Sequence, residues 1–240
     1  MAVCGVDGCP GGWLSVHWDG AASAKAELHT SFKDIVDLGV AVISVDMPIG
    51  LPERIEGRGR ACEHLVRKLL GDRQSSVFAI PCRAAVMARD YREACAINLE
   101  NSDPPRKISK QAFNLFPKIR EIDALFVSGS RATQELVYET HPEVCFWTMN
   151  DQKPVPLPKK IKSRPSPEGL SLRRDLLRNA GFPIDTLGAS VFPKTKVGED
   201  DIIDACAACW TAWRIHTKQH MTFPNKPERD GKGLRMEINA

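Results

Sequence analysis

The chain opens with a strand-like pattern of apolar residues. Residues 3–6 form a short apolar run that ends at Asp7, and a Gly- and Pro-rich turn covers residues 8–12. From Trp13 to Trp18 the side chains then alternate with period two. Such alternation sends one set of side chains to each face of a sheet, so the two segments predict a hairpin. Residues 24–30 supply a third strand. The continuous run over residues 40–45, rich in β-branched residues, suits a strand buried on both faces. It ends at Asp46 and breaks in the Pro- and Gly-containing segment 47–52.

The period then changes. Ala61, Leu65, Val66, Leu69 and Leu70 recur at helical spacing over residues 60–70, and Gly71 stops the helix. Phe113, Phe116, Ile119, Ile122 and Leu125 predict a second helix over residues 109–126, with a break or kink at Pro117. Residues 135–139 read as a strand ended by His141 and Pro142. The Pro- and Lys-rich stretch 153–167 reads as a loop. A short helix over 170–180 closes at Gly181, and residues 199–216 form the longest helical pattern. The polar tail after Lys218 ends in a strand over 234–238. No repeat or domain boundary interrupts residues 1–240, and alternating strands and helices predict a single α/β domain.

Composition narrows the class. With 42% hydrophobic and 26% charged residues, the chain is too apolar for disorder, and 240 residues are ample for a core. A net charge of +3 permits an acidic partner without announcing one. No apolar run approaches a membrane span, and the N-terminus lacks a basic region followed by an apolar stretch. A cytoplasmic protein with reduced thiols is therefore expected, despite eight cysteines. P-loop, hydrolase-elbow and dinucleotide-binding motifs are all missing from the sequence.

Three acids sit where strands end: Asp7, Asp46 and Glu139. Strand ends are where α/β sheets bind ligands. Asp201 and Asp204, three apart, project from one face of the last long helix, while Ile202, Cys206, Cys209 and Trp213 face the core. If the helix packs beside the strand ends, the carboxylates converge. Like charges ~4 Å apart repel by roughly 4 kcal/mol at an effective dielectric of about 20, so the cluster needs a cation. All-oxygen ligands select Mg2+ or Mn2+ over zinc, and paired ions of this kind serve phosphodiester cleavage. Each acid taken alone is equally a turn former or a helix N-terminal charge.

The segments GVDGCPGGW (5–13), SVDMPIGLP (44–52), RACEHLVRKLLGDRQSSVF (60–78), SKQAFNLFPKIREID (109–123), YETHPEVCF (138–146) and DDIIDACAACWTA (200–212) occur in this order. Together they resemble the domain-of-unknown-function 429 family, grouped with the RNase H-like superfamily of predicted nucleases. The resemblance implies a single RNase H-like domain over residues 1–240: a central mixed sheet flanked by helices, with inserted helical and basic loop segments. It also implies Asp7, Asp46, Glu139 and Asp204 as catalytic metal ligands, with Asp201 a further ligand. Glu143 competes with Glu139 as the third acid, since both lie within YETHPE. A nucleic acid is the implied substrate, cut by a carboxylate-bound two-metal mechanism. The alternatives are a non-catalytic nucleic-acid or protein binder on the same scaffold, and an actin-like phosphotransferase, which usually duplicates its domain.

Other groups compete for a role. Cys206 and Cys209 form a CxxC inside a helix without a second pair, so they are expected buried, reduced and metal-free. Cys4 and Cys9 read as structural. His141 either activates water or shapes a turn, and Gly8, Gly11 and Gly12 either approach phosphate or make the hairpin. One basic group (Arg54, Arg58, Arg60, Arg67, Lys68, Arg73, Arg83) is interleaved with Glu53, Glu56, Glu63 and Asp72, as a solvated surface would be. A second (Lys153, Lys159, Lys160, Lys162, Arg164, Arg173, Arg174, Arg178) has only Glu168 and Asp175 among it. That group is the stronger candidate for contact with a polyanion.

Overall fold

In the computed structural model the described residues are 1–57, 59–128, 132–162, 164–187 and 192–240. Strands β1 (Val3–Cys9), β2 (Gly12–Trp18) and β3 (Lys25–His29) form the expected meander. Helix α1 (Phe32–Val36) leads to β4 (Ile43–Val45), half the length its apolar run suggested. A small parallel pair, β5 (Ile55–Glu56) and β6 (Ser102–Asp103), brackets α2 (Ala61–Leu70), α3 (Arg83–Val86) and α4 (Tyr91–Glu100). The predicted helix 109–126 is two helices, α5 (Lys110–Asn114) and α6 (Phe116–Val127), because Pro117 starts the second rather than kinking one. After β7 (Val137–Glu139) come α7 (Pro142–Met149), a short hairpin of β8 (Lys160–Ile161) and β9 (Arg164–Pro165), α8 (Pro167–Asn179) and α9 (Glu199–His216). The tail holds two strands rather than one, β10 (Thr222–Arg229) and β11 (Arg235–Asn239). Among the described residues no helix is long and apolar enough to cross a membrane.

The central sheet has the order β3-β2-β1-β4-β7. β1, β2 and β3 pair antiparallel, while β4 and β7 join β1 in parallel. One face carries Cys4, Val6, Trp13, Ile43 and Val45 into a core shared with α1, α3 and α6. The other presents Val3, Leu14 and Val16 to α9 and α8. Helix α9 is buried along most of its length, so the division into an acidic face and a core face does not hold: Asp204 is buried like Cys206 and Cys209, while Trp213 is partly exposed. Leu65, expected in the core, is exposed, because α2 turns Cys62, Glu63, Val66 and Leu70 inward.

The contact between α9 and β1 fixes where the acids meet. At Gly5 an added Cβ would lie 1.9 Å from the Cys209 amide nitrogen and 2.4 Å from the Ala205 carbonyl oxygen. Backbone lies against backbone there, and only glycine permits it. Gly5→Val must push α9 off the sheet. A loss of roughly 3 kcal/mol or more is expected in urea unfolding, since neither backbone can yield as a flexible side chain could. A loss below about 0.5 kcal/mol would show that the packing is looser than described.

Candidate metal centre

Strand register decides which acids share a face. Gly5 pairs with Ser44 and Val6 with Val45, so Asp7 and Asp46 follow together at the ends of β1 and β4. Both stand two residues beyond a position on the α9 face, and their side chains therefore belong to it. On β7, Glu139 is in register with Val45, one residue short. A shift of one residue moves a side chain to the other face. Thr140 takes the position that continues from Asp46, and its hydroxyl donates to the Asn239 carbonyl at 2.7 Å.

Glu139 accordingly goes to Arg60. The guanidinium donates from both terminal nitrogens, 2.8 Å to Oε2 and 2.5 Å to Oε1, and the Ile49 amide adds 2.7 Å to Oε2. Burial pushes the Glu139 carboxyl up to about 7, with Arg60 acting against that shift. Glu143 is equally committed, bidentate to the fully buried Arg173 at 2.7 Å to each oxygen. Of the two, Glu143 is the one whose charge acts on Asp46 and Asp204.

Asp7, Asp46 and Asp204 all feel the charge of one cation, Lys159. Asp204 is 3% exposed, and its Oδ2 accepts from the Lys159 ammonium. Its Oδ1 is buried with no hydrogen-bond partner. Asp7, 7% exposed, accepts from the Gly8 amide at 2.8 Å and feels the charges of Asp46, Asp204 and Asp201. Asp201 caps α9 by accepting from the Gly198 amide at 2.8 Å, and neighbouring Asp200 pairs with Lys160. Asp7 and Asp46 also line a cavity of about 170 Å3 together with Arg60, Glu139 and His141. Lys159 is set firmly in place: its carbonyl accepts from the Ser166 amide, and Leu157 before it accepts from Arg173.

The donors suit a hard divalent ion. They are all oxygen and one of them is buried and unpaired, although the Lys159 ammonium holds the other oxygen of that carboxylate. The set is open rather than closed: among the described residues, the three ligand side chains with all donor atoms within 4.8 Å of one another are His17, Glu27 and His29. A metal ion at the acids would have to draw them together and displace the Lys159 ammonium.

Residues 5–229 match the family model described as "Protein of unknown function (DUF429)". The chain belongs to the DUF429 family. No curated protein and no solved structure matches it.

Elsewhere in this DUF429 chain, several sequence expectations change. His141 caps α7: its Nδ1 accepts from the Glu143 amide at 3.2 Å, which leaves Nε2 to donate to the Ser76 carbonyl at 3.3 Å. Burial lowers its pKa, and with both ring nitrogens engaged in these two bonds neither is left to take a proton from water. Much of the basic character is spent internally. Arg83 binds Asp123 and Asp230, Arg174 binds Glu199, and Arg178 binds Asp175 and Asp185. Lys153, Lys162 and Arg164 stay exposed, and Arg58 lies outside the described residues. All eight cysteines are buried and free, Cys206 and Cys209 included, in keeping with a structural role. Gly8, Gly11 and Gly12 build the hairpin. Gly12 has φ +125, and the ammonium of Lys118 donates to its carbonyl.

Burial and mutual repulsion predict a pH signature. Burial, aided by Glu143 and opposed by Lys159, pushes Asp46 up to about 6. Burial likewise raises Asp204 and Asp201 to about 6 and Asp7 well above its ordinary value. A carboxyl raised on folding favours the folded state below its unfolded pKa, and that advantage is lost as pH rises through the folded value. In chelator-treated protein, Asp46→Asn removes the penalty. Its gain over wild type should be near zero at pH 4 and grow to roughly 2 kcal/mol by pH 7. Urea midpoints of the two proteins across that range check it, and a gain independent of pH would contradict the assigned shift.

Proposed function

We propose that this protein is a divalent-metal-dependent nuclease of RNase H-like architecture, with Asp7, Asp46 and Asp204 as its metal ligands and Asp201 beside them. The observation that carries the reading is the buried, unpaired Oδ1 of Asp204, on a carboxylate whose charge acts on Asp7 and which itself feels the charge of Asp46. The sheet order, with an antiparallel meander extended by two parallel strands and crossed by an acidic C-terminal helix, agrees with the fold that the family resemblance implies. Glu139, held by Arg60, shapes the cavity wall and is not assigned as a ligand. When bound, Mg2+ or Mn2+ would neutralise a phosphate and lower the pKa of a water molecule. Asp7, Asp46 and Asp204 would hold the ion, and Arg60 fixes Glu139 in the nearby wall.

A groove of about 760 Å3 adjoins the acid-lined cavity through the shared residues Val77 and Phe78. Arg106 and Lys107 line it beside Asp72, while Arg67 in its wall is tied to Glu63 and the Val77 carbonyl; the two other cations are where a phosphate backbone would make contact on its way to the acids. A screen of labelled DNA, RNA, hybrid and junction substrates with Mg2+ or Mn2+ tests the reading. Cleavage that needs the ion and stops in chelator supports it, and no cleavage of any substrate defeats it.

The second reading, a nucleic-acid binder without catalysis, draws on Lys159, which already neutralises Asp204. Binding unaffected by chelator, with no cleavage, would favour it.

A further inference from the structure

On the face of the sheet opposite the acids, we propose a binding site for a divalent transition-metal ion of the zinc class, formed by His17, Glu27 and His29. In the antiparallel register of β2 and β3, Ser15 pairs with Glu27, His17 with Lys25 and Trp13 with His29. Ser15, His17, Glu27 and His29 therefore share one face. It is the face of Trp13, which packs into the core beside α1, whereas Asp7 is cross-strand from Leu14 on the α9 side. The site depends on neither the acid cluster nor the nuclease reading.

The two rings converge on one atom. Nε2 of His17 and Nε2 of His29 each lie 2.8 Å from the Ser15 hydroxyl oxygen. A hydroxyl has one proton and can donate to only one ring, so the other ring must donate to it. Glu27 approaches from the open side, its Oε2 4.0 Å from His29 Nε2, and the three donor atoms fall within 4.8 Å of one another. Tetrahedral zinc, with bonds of about 2.0–2.2 Å, sets its ligand atoms roughly 3.3–3.5 Å apart. Closing that gap falls mainly to Glu27, whose side chain is 57% exposed and free to change rotamer, while the His29 side chain is 12% exposed.

The donor chemistry selects the ion. Two imidazoles and one carboxylate favour zinc, copper or nickel over magnesium and calcium. Three protein ligands leave the fourth position to water, as at open zinc sites. β3 is the edge of the sheet, so an ion bridging His17 on β2 to Glu27 and His29 on β3 would pin the edge strand to its neighbour.

The test uses full-length, chelator-treated protein and zinc alone, in competition with a colorimetric chelator, with cobalt as a spectroscopic stand-in. Wild type should bind a single zinc ion and give the visible bands of tetrahedral cobalt. Asp7→Asn and Asp204→Asn should bind equally well. His29→Gln and Glu27→Gln should weaken binding tenfold or more, and zinc should raise the unfolding midpoint of wild type but not of these variants. Should His29→Gln fail to fold, Glu27→Gln at its exposed position carries the test. Absence of zinc binding by wild type would mean that Ser15 merely bridges two structural histidines, and the proposal would fall. It would fall equally if binding survived His29→Gln and Glu27→Gln, or vanished in Asp204→Asn, because the ion would then sit elsewhere.

Discussion

Asp7→Asn should reduce metal-dependent cleavage by roughly 100-fold or more while leaving the protein folded. The side chain is buried at the end of β1 and shares its face with Asp46 and α9. Asparagine keeps the shape and can still accept from the Gly8 amide, so the tight turn survives. One negative charge is lost where a divalent ion would need it. Substrate binding in chelator should persist or tighten, because less negative charge faces the phosphate. The metal-free variant should be more stable than wild type, since burial together with Asp46 and Asp204 raises the pKa of Asp7. Rates from matched preparations and urea midpoints in chelator check both parts. Equal cleavage by the two proteins would remove Asp7 from the reaction.

Arg60→Met should cost roughly 3–5 kcal/mol of stability, the largest loss expected from one surface-neutral change. Arg60 is 3% exposed and grips Glu139 through two nitrogens while its Nε donates to Glu63 at 2.6 Å. Methionine fills the volume but leaves the buried Glu139 without its cation and Glu63 with only Arg67 at 3.4 Å. Adding Glu139→Gln and Glu63→Gln should recover a large part of the loss, because the cost lies in uncompensated charge. Glu139→Gln alone separates two roles. If Glu139 only anchors Arg60, stability falls and Mg2+ affinity holds. A tenfold loss of Mg2+ affinity would instead return it to the ligand set.

These arginines mark the boundary of what the sequence discloses. The hairpin, α2 and α9 were legible because each is long enough for its period to show. The acids at strand ends were legible as positions, since strands stop where polar residues begin. Their partners were not, because charge runs look alike whether they face water or a buried carboxylate. Arg60 and Arg83 were read as a solvated surface and Arg173 as a candidate for polyanion contact, yet each closes a buried pair. Glu139 is hard to place for a subtler reason: strand ends are visible in sequence, but the register that chooses a side chain's face is not. Helix α7 escaped because it is buried nearly all round and has no polar stripe, and Pro142, read as a breaker, begins it. β10 escaped because Pro224 and Pro227 argue against a strand, while a two-stranded edge tolerates them. Lys159 could not be placed from a loop whose position depends on Ser166, Gly169 and Arg173.

The proposed function needs an all-oxygen cation site at Asp204, where Lys159 now supplies the positive charge. Burial disfavours the charge on Lys159, but Asp204, Asp46 and Glu143 together raise its pKa above the ordinary value. A divalent ion must compete with that ammonium. Isothermal titration of chelator-treated, full-length protein with Mg2+ measures the competition directly, in wild type, Asp204→Asn and Lys159→Gln. Wild type should bind the ion, Asp204→Asn should bind it tenfold or more weakly, and Lys159→Gln should bind it more tightly. No Mg2+ binding by wild type up to about 10 mM, or the same affinity in all three proteins, would contradict the proposed function.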